Sequence, residues 1–227
     1  MKTVVITGGS EGLGRTIAEH LSDSYNVYIL SRTEAKLKEA ANEIGCKYRV
    51  CDVSNYSQVE QAVSEITTES GDIDVFINNA GTWIQGPLEE NDAEDIKKSI
   101  EINTIGVING TKAVVPLMKK RKSGIIIQII SQAGFYGKAE RSVYNASKWA
   151  LTGFTKSIQE ELEPHNVRVT GIYPAMLHTE LFSKQGIEKD MNKALSTKEV
   201  ARTIKFIIES EETTCFPEIG VKKLGYQ

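Results

Sequence analysis

Cysteine and histidine are scarce in this chain of 227 residues, and neither is arranged for metal or disulfide chemistry. Cys46, Cys51 and Cys215 are odd in number and contain no C-x-x-C pair, which argues against a disulfide framework and a zinc site. His20, His165 and His178 stand singly, away from any Asp/Glu cluster with metal-ligand spacing, so no metal is expected. Long apolar runs are also missing. The longest, IIIQII near residue 128, falls far short of the roughly 20 residues that cross a bilayer, and no membrane partner is expected. The opening MKTVVIT leads into a strand without the apolar stretch and cleavage site of a secretory signal, so the expected location is cytoplasmic. A block of like charge is absent as well. The net charge is −3 with signs interspersed, and MKKRK at 118–122 reads as the solvated end of a helix, which excludes a nucleic-acid partner. With no linker, composition shift or internal repeat, residues 1–227 are expected to form one domain, with 180–196 following a strand end as a substrate lid.

What the chain does have is alternation. Short apolar runs at 4–7, 26–30, 47–52, 75–78, 125–130 and 167–173 are separated by stretches with three- and four-residue apolar spacing. These stretches lie at about 14–22, 34–44, 56–70, 92–120, 143–163 and 197–209. Continuous apolar strands between helices are the pattern of a parallel sheet buried on both faces, so the fold class is α/β, doubly wound.

Between the first strand and first helix lies TGGSEGLG, residues 7–14. Gly8, Gly12 and Gly14 permit a tight turn, close backbone approach to a pyrophosphate, and contact of helix with sheet, with the anion at the helix N-terminus. A dinucleotide-binding turn is usually followed, some twenty residues on, by an acid that holds the adenine ribose. That acid is missing: the second strand ends in Ser31-Arg32-Thr33.

Tyr144 and Lys148, in YNASK, are four apart at the start of a helix and so share one face. For a phenol of pKa about 10 to serve as an acid/base near pH 7, its pKa must fall by about three units, or about 4 kcal/mol. A cation about 5 Å away supplies on the order of 3 kcal/mol. Lys148 together with an oxidised nicotinamide is sufficient in magnitude. Ser131 closes the strand IIIQII, where a hydroxyl can donate to a developing alkoxide.

In order along the chain, TGGSEGLG, CDV at 51–53, NNAG at 78–81, EINTIG at 101–106, Ser131 and YNASK resemble the short-chain dehydrogenase/reductases of the compact, single-domain subfamily. The likeness covers approximately residues 3–180. It implies a Rossmann-type, mainly parallel sheet flanked by helices on both faces, and an NAD(P)-dependent oxidoreductase acting on a carbonyl or secondary alcohol. By this resemblance Tyr144 exchanges the proton and Lys148 lowers its pKa and bonds the nicotinamide ribose. Ser131 orients the substrate oxygen, and Asn103 holds a water linking Lys148 to solvent. The cofactor would meet Gly8, Ser10, Glu11, Gly12, Leu13 and Gly14 at the turn, and Asp52 and Val53 beside the adenine. It would also meet Asn79, Ala80 and Gly81 at its centre, and Pro174 and Thr179 at its nicotinamide end. Two features depart from the family pattern: Pro174-Ala175 replaces a Pro-Gly, and the C-terminus reads PEI followed by a short basic strand.

Ser31 and Arg32 suit a ribose 2′-phosphate and favour NADP(H), while Glu11 opposes it and keeps NAD(H) open. Trp83, Ile84, Phe135, Tyr136, Met176, Leu177 and Phe182 fall in loops at strand ends and suggest a largely apolar substrate pocket. Lys138 and Arg141 leave a carrier-linked or acidic substrate open. A redox-sensing binding protein without turnover and a dehydratase or epimerase-like enzyme remain as alternatives. The helices near 92–120 and 143–163 are expected to pair copies into a homodimer or homotetramer.

Overall fold

Val4 and Ile6 belong to one apolar cluster and Val5 to another, and all three are fully buried, so the first strand is covered on both sides. The same alternation recurs across the computed structural model, which describes residues 1–179, 181 and 190–225. Its strands are β1 (Thr3–Thr7), β2 (Asn26–Ser31), β3 (Lys47–Val50), β4 (Val75–Asn78), β5 (Gly124–Ile129), β6 (Val167–Pro174) and β7 (Glu218–Val221). They form a parallel sheet in the order β3-β2-β1-β4-β5-β6-β7.

The helices are α1 (Gly12–Leu21), α2 (Glu34–Ile44), α3 (Tyr56–Ser70), α4 (Ala93–Ile100), α5 (Gly106–Arg121), α6 (Ser142–Leu162) and α7 (Thr197–Glu209). On one face, Leu13, Ile17 and Leu21 of α1 and Val200, Ile204 and Ile207 of α7 pack against Ile6, Ile29, Ile77 and Ile127. On the other, Val59, Val63 and Ile66 of α3, Val114 and Met118 of α5 and Ile158 of α6 cover Val5, Phe76 and Ile126. This is the doubly wound, Rossmann-type architecture. Strand order reverses between β1 and β4, which opens a crevice beyond the carboxyl ends of the strands.

Two boundaries differ from the sequence expectation in a way that bears on the site. The single helix expected over 92–120 is divided by a π-turn at Glu101–Ile105. The chain presses in directly afterwards: a Cβ on Gly106 would lie 2.6 Å from Val53 Cγ2. The wider turn carries Asn103 inward, where it is fully buried. The third strand stops at Val50, ahead of the expected 52, because Cys51 and Asp52 have turned to the crevice, the Asp52 amide donating to Gln58 Oε1 at 2.9 Å. The C-terminal strand is β7, and its lysines, Lys222 and Lys223, follow it rather than lie in it.

Candidate active site

A cavity of about 1680 Å³ runs along the carboxyl edge of the sheet, from Arg15 and Arg32 at one end to Tyr144 and Met176 at the other. Ligand pockets commonly hold about 300–1,000 Å³, so this one has room for an extended cofactor and a substrate together. The glycine turn forms its floor. Gly8 and Gly12 have φ of 67° and 56°, in the left-handed region that favours glycine. A Cβ on Gly14 would stand 2.3 Å from Gly8 O, so only glycine lets α1 approach the turn this closely. Glu11, the N-cap of α1, makes no side-chain cap, and the helix begins at the cavity wall, where the positive end of its dipole favours an anion. This cradle fits a dinucleotide's diphosphate.

The end of β2 is tied to that turn by a hydrogen bond from Ser10 Oγ to Ser31 Oγ, 3.1 Å. Arg32 Nη1 lies 3.9 Å from Asp52 Oδ2, a loose and half-exposed pair, while Asp52 Oδ1 accepts from the amide and hydroxyl of Ser54 at 3.0 and 2.7 Å. Glu11, whose charge opposes a phosphate, lies 3.6 Å from Lys36 Nζ. Sequence reasoning missed Lys36; its spacing of four from Arg32, at the start of a helix, was the available signal. Leu13 and Val53 line the same end of the cavity.

Across the crevice, Thr7 Oγ1 accepts from the amides of Asn79 and Ala80, both at 3.0 Å, and Asn79 Nδ2 donates to Thr7 O at 2.9 Å. These bonds fix the loop after β4, which carries Gly81, Thr82 and Trp83 along the cavity. Asn103 supports the same loop from behind. Its Oδ1 accepts from Thr82 N at 2.7 Å, and its Nδ2 lies within hydrogen-bond distance of Thr82 O, Ser99 Oγ and Ser147 Oγ. The Asn103 amide is thus engaged with protein groups, and like Gly14 it stands behind the cavity wall rather than in it.

Ser131, Tyr144 and Lys148 meet at the far end. Ser131 has φ of 136° and ψ of 156°; its Oγ accepts from Ala133 N at 3.2 Å and hydrogen-bonds to the Tyr144 phenol. Lys148 Nζ donates to Ile129 O at 3.3 Å and lies 5.8 Å from the centroid of the Tyr144 ring. The acidities run against the sequence argument. Burial pushes Tyr144 up to about 12, outweighing the Ser131 hydrogen bond and the Arg141 charge, which both act downward. Burial also lowers Lys148 to about 8. At about 8 the lysine keeps its charge at neutral pH, but desolvation of the phenol outweighs what nearby groups supply, so the fall that the sequence argument expected does not appear.

Of the expected substrate-pocket residues, Trp83, Tyr136, Met176 and Leu177 line the cavity. Phe135 is turned away and stacks on Tyr173 with centroids 3.9 Å apart. Ile84 is buried with Trp83 and Tyr144 but does not reach the cavity surface. Phe182 lies outside the described residues, as do residues 180 and 182–189 of the expected lid. The remainder of that segment includes a short 3-10 turn at Met191–Lys193, and Met191 lines the cavity. Pro174 ends β6, and Ala175 in place of the glycine is buried, its amide donating to Val221 O at 2.8 Å. Thr179 still arrives opposite the glycine turn, 3.7 Å from where a Cβ on Gly12 would be. Among the described residues no group of three His, Cys, Asp or Glu could hold a metal, and no helix is long and apolar enough to cross a membrane.

The sequence profile described as short chain dehydrogenase matches residues 2–190. The chain is 32% identical over 222 residues to carbonyl reductase family member 4 of Xenopus tropicalis, covering 94% of this chain and 93% of that protein. It is 34% identical over 224 residues to 3-ketodihydrosphingosine reductase of Bacteroides thetaiotaomicron, covering 98% and 80%. Among solved structures, an alcohol dehydrogenase from the archaeon Thermococcus sibiricus, complexed with 5-hydroxy-NADP, superposes with a TM-score of 0.91 at 28% identity. That match covers 100% of this chain and 98% of the other.

Proposed function

The chain belongs to the short-chain dehydrogenase family and is an NAD(P)-dependent oxidoreductase; from that premise we propose that it is an NADP(H)-dependent reductase of a small carbonyl compound. The observation that carries this is convergence: Ser131, Tyr144 and Lys148 share one end of a cavity whose other end is the glycine turn. The nicotinamide supplies hydride transfer between its C4 and the substrate carbon. Tyr144 hands a proton to the substrate oxygen, and its high pKa keeps it protonated at neutral pH, which suits reduction better than oxidation. Ser131 donates a hydrogen bond to the same oxygen. Lys148 bonds the nicotinamide ribose and holds a positive charge beside the phenol. Asn103 holds the loop that carries Gly81 and Trp83.

Ser31 and Arg32 support NADP(H) over NAD(H). With Lys36 beside it, Glu11 opposes a 2′-phosphate less than its charge alone suggests. The cofactor complex of the archaeal relative agrees with this choice. Tyr144 and Lys148 together argue against a sensor without turnover. The outward faces of the helical run carry exposed Ile105, Leu117 and Trp149, which supports pairing of copies, read by light scattering as a dimer or tetramer at micromolar concentration.

The test is a panel of aldehydes, ketones, quinones and sugars, followed by the loss of NADPH absorbance with NADH in parallel. Turnover with a higher kcat/KM for NADPH is expected. Binding of NADPH with no turnover on the whole panel would overturn the enzymatic reading, and a higher kcat/KM for NADH would overturn the cofactor assignment.

A further inference from the structure

We propose that the substrate carries a carboxylate, received by Arg141, several bonds from the carbon reduced beside Tyr144; this names the substrate class of the reductase proposed above and rests on it. Arg141 directly precedes α6, and its guanidinium carbon lies 5.0 Å from the centroid of the Trp83 ring. The Trp83 ring in turn lies 4.4 Å from that of Tyr144, tilted by 51°. The guanidinium is therefore one indole away from the phenol. Stacking holds the fork in place and leaves its N–H donors free for a ligand.

Arg141 differs from the other arginines. Arg15, Arg32, Arg49, Arg121 and Arg202 each face a carboxylate, and Arg168 donates to the carbonyls of Ser210, Glu211 and Thr214. Among the described residues, Arg141 has neither a carboxylate nor a carbonyl partner. The acids along the cavity are confined to one end. Glu11, Glu19 and Asp52 lie at the glycine-turn end among Arg15 and Arg32, whereas Lys138, Arg141 and Lys148 stand at the catalytic end with no described acid lining the cavity beside them. α6 begins there without a side-chain cap, adding the positive end of a long helix. Trp83 stands between Arg141 and Tyr144, and Met176 and Leu181, packed in the same apolar cluster as Trp83 and Tyr144, line the cavity with it. An oxo acid with a short apolar spacer matches this sequence of surfaces. A guanidinium fork also accepts a carboxylate in two parallel hydrogen bonds.

The experiment compares 5-oxohexanoate with its neutral counterpart 5-oxohexanamide, using whichever nicotinamide the panel selects. The acid should have a KM roughly ten- to a hundredfold lower, matching a charge-assisted contact. Arg141→Gln should remove that preference, raising the KM of the acid at least tenfold more than that of the amide, and Arg141→Lys should restore part of it. Equal losses on both substrates would mean that Arg141 acts only through the acidity of Tyr144, and would overturn the proposal. So would the absence of any preference in the wild type.

A second measurement needs no turnover. The chain has two tryptophans, so Trp149→Phe leaves Trp83 as sole reporter. Its fluorescence should saturate with hexanoate, not with hexanamide, and not when Arg141→Gln is added. Saturation without turnover of any carbonyl would sink the reductase reading and leave the anion site standing. Turnover without saturation or acid preference would do the reverse.

Discussion

Ser131 occupies φ and ψ of 136° and 156°, a region reached almost only by glycine, where other residues are strained by about 1–3 kcal/mol. If that strain is tolerated because the hydroxyl is needed beside Tyr144, stability and activity should separate on substitution. Ser131→Gly should raise the Tm, since relief of strain exceeds the roughly 0.5–1 kcal/mol of added chain entropy, and should lower kcat at least tenfold. Ser131→Ala should lower kcat equally with no gain in Tm; thermal melts beside initial rates check both. At the adenine end, Ser31→Asp with Arg32→Ala should raise the KM for NADPH about ten- to a hundredfold and lower that for NADH, measured on one substrate with both cofactors. Residue types at fixed spacing were legible in the sequence: the glycines, Ser31-Arg32, and the Tyr144/Lys148 pair one helical turn apart. The direction of the Tyr144 shift was not, because it depends on how completely the phenol and the lysine are desolvated, and burial belongs to the fold. Lys36 escaped for a related reason, since its value lies in standing beside Glu11 across two elements.

Elements with continuous apolar strands or a strong helical stripe were readable, because each announces two buried faces or one. β7 is four residues long at the sheet edge with its residues part-exposed, so its pattern is weak. The π-turn at Glu101–Ile105 has no periodic signature either, yet it is what turns Asn103 into the interior. There the Asn103 amide satisfies both the N–H and the C=O of Thr82, in the loop that presents Gly81 and Trp83. Asn103→Ala would leave two backbone groups without partners. Unfolding in urea should show a loss of about 2–4 kcal/mol. Asn103→Asp should recover only part of it, since a carboxylate accepts from Thr82 N but cannot donate to Thr82 O. Recovery to the wild-type midpoint by the aspartate would show that the loop is held in some other way.

For the molecule as a whole, the doubly wound order brought the strands' carboxyl ends, and with them most of the candidate residues, to one crevice, and that architecture followed from alternation. The confinement of the cavity's acids to one end did not, since Asp52 joins Glu11 and Glu19 there only through the fold. The same burial that shapes the catalytic end also sets a global dependence on pH. Lys148 falls from an ordinary 10.5 to about 8 in the folded chain, so below pH 8 folding requires a charged ammonium in an apolar site. As pH rises from 8 toward 10.5, the folded state gives up that proton before the unfolded chain does, and stability increases by an amount on the order of 3 kcal/mol. Tyr144, raised to about 12, acts in the opposite sense, its contribution being lost from about pH 10 upward. Cys46 and Cys51, pushed up to about 11 and 12, oppose the gain from about pH 9. The clean observable is therefore a difference. Between pH 7 and pH 10 the unfolding free energy of the wild type should rise relative to that of Lys148→Met, both measured in urea without cofactor. Parallel pH profiles for the two proteins would mean that Lys148 is not desolvated in the folded state.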